Sequence, residues 1–236
     1  MQNPIIKEFI NKTKLSNMGM SGREDGMIKP DFEQNPEGEF DKIILPSADS
    51  SSFSIMDVVE AIEKRESIRD YSSIPMSIKG VKRIIPNVVA LRNVPSAGAR
   101  NAFETFLLIN NVDGLESGLY KYVALEHVLL KLDLNKDLSE KFTLACDEQD
   151  HVKNSNVTFI WTAVPDRMTW SYAERSYRYL FIDAGHVCQN LYLVAEKLNL
   201  GVCAVGHYDD DTMNSMLNID GEKQFTIYVA TVGKKE

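Results

Sequence analysis

The sequence predicts a chain of mixed α and β structure, and three observations carry that expectation. Segments 156–164, closed by Pro165, and 225–232 are short apolar runs that read as buried strands. Segments 118–123 and 127–133 set Leu119, Tyr120 and Tyr122 against Val128, Leu129, Leu130 and Leu132 across Ala124-Leu125-Glu126, the pattern of a hairpin. Segment 177–199 is helical, with Leu180, Ala184, Val187, Leu191, Val194 and Leu198 on one stripe.

The remaining elements fall between and before these. Residues 1–50 form an extended arm. Its stretch 17–52 is rich in Gly, Ser, Asn, Pro and acidic residues, and Ile43, Ile44 and Leu45 are its apolar anchor. The folded domain runs from 51 to 236. Ser54 followed by Asp57 resembles a capping box, and Val58, Val59 and Ile62 carry a helix to about Arg65. A second helix starts at Ser77, with Val81, Ile84, Ile85, Val88 and Val89 inward and a bend at Pro86. Segment 104–110 is a strand with little alternation, so both its faces are expected to be covered. Phe181, Ile182, Cys188 and Leu193 extend the apolar surface of helix 177–199 nearly around it. Such a helix belongs at the centre of a domain or in a subunit interface. Gly185 within it points to a close approach by another backbone.

Composition removes several functions. The 236 residues are 44% apolar and 25% charged, and the net charge is −8, which argues against a nucleic-acid partner. No segment is long enough for a membrane span. The first twenty residues hold Lys7, Glu8, Lys12 and Lys14 and no apolar run, so no secretory signal is expected. Cys146, Cys188 and Cys203 fit neither a disulfide framework nor a zinc site and read as reduced, cytoplasmic thiols. His127, His151, His186 and His207 share no ligand spacing, and His127 reads as a hairpin surface residue. Asp209-Asp210-Asp211 reads as a helix N-cap ahead of Met213, Met216 and Leu217 rather than as a metal site. No metal is expected.

Three segments carry chemistry. Arg65-x-Ser67-x-Arg69, if extended, turns two guanidiniums and a hydroxyl toward one anion, although a helix end with favourable cations would look the same. Pro95-Ser96-Ala97-Gly98-Ala99-Arg100 is a loop of small residues against which a planar ligand could lie, or a plain turn. Gly201-Val202-Cys203-Ala204-Val205-Gly206 brackets an apolar run with glycines that let backbone N–H groups meet a ligand, or it is a strand between glycine turns. It is not a P-loop, and no Gly-x-Gly-x-x-Gly follows a strand. Trp170, Tyr172, Tyr177 and Arg178 are the side chains placed in a substrate pocket by position.

Taken together these segments resemble the nitroreductase superfamily. The closer likeness is to its SagB-type branch, flavoprotein dehydrogenases related to the azoline oxidases of peptide biosynthesis. Further motifs carry that likeness: Gly118-Leu119-Tyr120-Lys121-Tyr122 with His127, Tyr177-Arg178-Tyr179 leading to Asp183-Ala184-Gly185-His186, and Val229-Ala230-Thr231-Val232-Gly233. The resemblance covers residue 54 to the end. It implies an α+β sandwich of a mixed sheet flanked by helices, an intertwined homodimer and two FMN sites at its interface. It also implies roles for residues. Arg65 and Ser67 would hold the ribityl phosphate, joined by Lys234 or Lys235, with Arg69 near the flavin N1/O2 edge as the catalytic cation. Pro95, Ser96, Ala97, Gly98 and Arg100 would come from the partner subunit. Ala204, Val205 and Gly206 would bring backbone N–H groups to the ring. The activity implied is ping-pong hydride transfer from NAD(P)H to an electrophilic small-molecule acceptor. An azoline-oxidising dehydrogenase and a flavin-binding protein without turnover are the alternatives.

Overall fold

A computed structural model of the chain describes residues 3–45, 57–78 and 94–236. Ser54 and the expected helix beyond Ser77 lie outside the described residues. The described helices are α1 (Pro4–Lys12), α2 (Val58–Lys64), α3 (Leu138–Ala145), α4 (His151–Asn154), α5 (Pro165–Tyr172), α6 (Ser176–Lys197) and α7 (Asp210–Met216). The strands are β1 (Lys42–Ile44), β2 (Met76–Ser77), β3 (Phe103–Ile109), β4 (Val112–Asp113), β5 (Gly118–Val123), β6 (Val128–Asp133), β7 (Val157–Ala163), β8 (Leu200–Val205) and β9 (Phe225–Lys234).

Seven strands form one sheet in the order β1-β6-β5-β3-β7-β9-β8, each neighbour antiparallel. The parallel component of this mixed architecture is small. It comprises the β2–β4 pair and a single bridge from Ser67 to Val202. Side chains alternate across the sheet as the two-residue period requires. On one face Leu107, Phe159, Trp161, Val202 and Ala230 meet Cys188, Leu191, Tyr192 and Ala195 of α6. On the other Phe106, Leu108, Ile160, Val205 and Val229 meet Phe142 of α3, Val152 of α4 and Met213 of α7. The 104–110 strand is therefore covered on both faces. The hairpin turns at His127, whose φ of 56° is left-handed. His127 is half-buried rather than a surface residue, because its ring nitrogen lies 2.8 Å from the Tyr122 hydroxyl.

Helix α6 is not buried on all sides within this chain. Leu180 and Ala184 pack into the core with Ala102, Phe103 and Met168, while Phe181 and Ile182 are more than half exposed. Among the described residues outside the helix's own backbone, no atom lies within 4 Å of where a side chain on Gly185 would begin, so the backbone expected there is not one of them. Val58, Val59 and Ile62 of α2 are also exposed. Asp57 caps α2, its carboxylate accepting the Glu60 N–H at 2.9 Å.

The arm is sewn onto the body by polar contacts that its composition does not announce. Arg175 donates to the Thr13 carbonyl and Arg178 to Thr13 Oγ1 and the Ile10 carbonyl, so two guanidiniums cap the end of α1. The Trp170 indole donates to the Met27 carbonyl at 2.9 Å, and Arg23 N–H donates to the Trp170 carbonyl at 2.7 Å. Deeper in, Glu104 of β3 pairs with Arg167 of α5 and, at 3.2 Å, with Lys121 of β5. All three are almost fully buried. Arm backbone adds to their shell: Gln34 N–H donates to Glu104, Arg167 Nε to the Asp31 carbonyl and Lys121 to the Gln34 carbonyl. In the 43–45 anchor, strand alternation buries Leu45 and turns Ile44 to solvent.

Deleting residues 1–35 would remove the Asp31 and Gln34 backbone partners of this buried network. Arg167→Met should lower stability by about 3–5 kcal/mol in urea unfolding, because a buried charge would lose its partner. Deleting residues 1–12, where α1 buries nothing, should be far milder. Equal effects of the two changes would show that the Glu104 network does not hold the arm.

Candidate functional site

The site begins at the free edge of the sheet, strand β8. Segment 67–71 lies across that edge because two glycines make room for it. A side chain on Gly201 would begin 2.5 Å from Ile68 Cβ, and one on Gly233 2.5 Å from the Tyr71 ring. Gly201 is thus a seat for Ile68 rather than an approach for a ligand. Ile68 N–H donates to the Val202 carbonyl at 2.9 Å and Ser72 N–H to the Lys234 carbonyl at 2.9 Å. The Tyr71 hydroxyl, 2.8 Å from Thr231 Oγ1, fixes the far end, and burial raises its pKa.

This docking places Ser67 over α6. Its hydroxyl is 3.0 Å from the Tyr192 hydroxyl, which also accepts the Ala204 N–H at 2.9 Å. The Arg65 guanidinium stands 5.4 Å from the centroid of the same ring. One turn further along α6, Glu196 pairs with Lys235 at 2.8 Å. Of the two C-terminal lysines, Lys235 is therefore the one that reaches this cluster. Lys234 is held by its backbone N–H, which donates to Asn156 Oδ1 at 2.9 Å. Arg69 is exposed, and its charge is felt at Tyr71, His151 and Cys203. Burial, aided by Arg69, holds His151 below the usual histidine range.

A second group sits on the first half of α6. Asp183 accepts the Ala97 N–H on both carboxylate oxygens, at 3.3 and 3.2 Å, and His186 Nδ1 lies 3.2 Å from the Pro95 carbonyl. Ser96 accepts the Asn101 N–H at 3.0 Å and hydrogen-bonds Asp183. Burial raises the Asp183 pKa, and these donors oppose it. Gly98 is required twice, by a φ of 56° and by the Tyr172 hydroxyl, which occupies the place where its Cβ would stand. The Arg100 guanidinium lies 5.1 Å from the Trp170 ring centroid, and its buried Nε has no hydrogen-bond partner. Nine residues of helix, about 13 Å, separate Asp183 from Tyr192.

The proposed pocket residues divide. Tyr172 lies under the loop and packs edge-on against Tyr179 at 4.9 Å. Tyr177 is exposed. Trp170 and Arg178 hold the arm. Sequence reasoning missed Tyr192, Asp183 and His186 as site-builders. The available signal was a tyrosine inside an apolar helix, since a buried phenol needs a partner.

Chemically the arrangement favours binding an anion over supplying a nucleophile. Among the described residues no ion pair involves Arg65, Arg69 or Arg100, and a side chain on Gly206 would enter open space. These features fit an anionic, planar cofactor such as FMN. Burial pushes the Cys146 thiol up to about 12 and Cys188 to about 11 and raises Cys203, which leaves all three unsuited to nucleophilic work. Among the described residues no three His, Cys, Asp or Glu side chains are grouped to hold a metal. No described helix is long and apolar enough to cross a membrane.

Known proteins bear on this geometry. MJ1384 of Methanocaldococcus jannaschii, a candidate nitroreductase, is 30% identical over 75% of this chain and 90% of its own. The microcin B17-processing protein McbC of Escherichia coli is 22% identical over 61% of this chain and 57% of its own length. Among solved structures, a candidate nitroreductase from Anabaena variabilis superposes with a TM-score of 0.72 at 28% identity, covering 84% of this chain and 42% of that one. A chain of the E. coli microcin synthetase McbBCD complex, with truncated pro-MccB17 bound, gives 0.61 at 18% identity, covering 100% of this chain and 95% of that one. A candidate nitroreductase from Desulfovibrio desulfuricans, in complex with FMN, gives 0.54 at 17%, covering 76% and 87%. The nitroreductase family model matches residues 62–234. The chain belongs to the nitroreductase family.

Proposed function

We propose that the protein is an FMN-dependent oxidoreductase that takes a hydride from NAD(P)H and passes it, in a second half-reaction, to an electrophilic small molecule. The observation that carries this reading is the convergence of Arg65 and Ser67 on Tyr192, with Lys235 one helical turn away, beside a strand whose end opens at Gly206. Bound FMN would supply the hydride chemistry. The chain's residues would bind and orient it. Arg65, Ser67 and Lys235 hold the phosphate. The backbone of Val205 and Gly206 faces the ring, while the Ala204 N–H is already engaged by Tyr192. Arg69 contributes a fixed positive charge.

The Pro95–Arg100 loop is held about 13 Å away along α6, so it serves the site of a second copy. The exposed faces of α2 and α6 are the surface that would bring that copy in. A second reading, a dehydrogenase acting on an azoline or related peptide substrate, is favoured by the McbBCD likeness, which spans the whole chain, arm included. Turnover with NAD(P)H and a nitroaromatic or quinone supports the first reading. Oxidation of an azoline with oxygen as acceptor supports the second.

The purified protein should be yellow and release FMN on denaturation. Arg65→Ala should weaken FMN binding by about 2–4 kcal/mol, the loss of a charge-assisted contact. Unchanged affinity would place Arg65 outside the site. Arg69→Ala should retain FMN and slow its reduction by NAD(P)H about ten- to a hundredfold in stopped flow. Reduction at the parent rate would show that another group supplies the charge.

Light scattering should report a dimer. Phe181→Glu, on the exposed face, should yield a folded monomer depleted of FMN. Ala184→Glu, which lies in the core, should instead prevent folding. A fully loaded Phe181→Glu monomer would contradict the shared site.

A further inference from the structure

We propose that Tyr192 is a positioning residue that fixes the Ser67 hydroxyl as an outward donor and thereby gives the site its preference for a phosphorylated ligand. The inference rests on the flavin reading above and deepens it. Tyr192 is only 8% exposed and its hydroxyl has two neighbours, Ala204 N at 2.9 Å and Ser67 Oγ at 3.0 Å. A backbone N–H can only donate, so the phenol oxygen accepts there. The phenol proton then needs an acceptor, because a buried hydroxyl left unpaired is costly. Ser67 Oγ is the acceptor within reach. The direction of the chain is thus set from the protein outward, Ala204 N–H to Tyr192 O–H to Ser67. The serine proton is left over.

Ser67 is exposed, and its remaining proton points to the open side, where Arg65 stands over the Tyr192 ring. Each bond in such a chain polarises the next, so a donor at its end is stronger than an isolated serine. A neutral hydroxyl or water could take that proton. An anion flanked by the Arg65 guanidinium takes it best. Tyr192 touches no ligand in this scheme. It acts through Ser67.

The test compares FMN with riboflavin, which shares the ring and lacks the phosphate. Dissociation constants would be measured by flavin fluorescence on the full chain for the parent, Tyr192→Phe, Ser67→Ala and the double variant. Tyr192→Phe should weaken FMN about tenfold and leave riboflavin unchanged, so the preference narrows. The double variant should bind FMN no more weakly than Ser67→Ala alone, because both changes cut the same chain. Equal weakening of FMN and riboflavin in Tyr192→Phe would make the residue merely structural and overturn the proposal. Additive losses, or unchanged FMN binding, would do the same. A parent that binds neither flavin would bring down the flavin reading itself, a result distinct from all of these.

Discussion

The structure depends on how α6 is pressed against the sheet. Leu180, Ala184, Cys188, Leu191 and Ala195 are buried along one side of it, and each such side chain contributes about 1.5–3 kcal/mol when fully removed from water, alanine less. With that stripe fixed, the helix cannot rotate, and the angular positions of its polar residues are fixed too. Asp183 and His186 then meet the Pro95–Arg100 loop, and Tyr192 and Glu196 meet Ser67, Arg65 and Lys235. One helix thus carries two polar clusters. They face different directions in space because they lie two and a half turns apart.

The arm imposes a second constraint. Glu104, Lys121 and Arg167 place one negative and two positive charges in the interior, and backbone groups of Asp31 and Gln34 hydrogen-bond all three. Such an arrangement cannot form in stages without stranding a buried charge. The arm therefore folds with the body, while α1 at its start remains outside it, tied at one end by Arg175 and Arg178.

Much of this was legible in the sequence. Segment 177–199 became Ser176–Lys197, the hairpin formed with its turn where expected, and Asp209 caps α7 through the Thr212 N–H at 2.8 Å. Those elements are set by periodicity and local capping, which act over a few residues. What was not legible depends on residues far apart in the chain. Glu104 and Arg167 are 63 positions apart, and neither run marks its charge as buried. Gly201 looked like a ligand approach until Ile68 was seen to occupy the space. Ala184 and Phe181 were assigned to one apolar surface, and only packing shows that one faces the core and the other solvent.

The central claim is that Arg65 and Arg100 of different copies serve one cofactor site. Subunit complementation tests it most directly. Arg65→Ala and Arg100→Ala chains carrying different tags would be co-expressed and the mixed dimers titrated with FMN. If the halves belong to different copies, one site of each mixed dimer is intact. About a quarter of all sites in an unsorted mixture should then recover parental affinity. No recovery in the isolated mixed dimer would contradict the account.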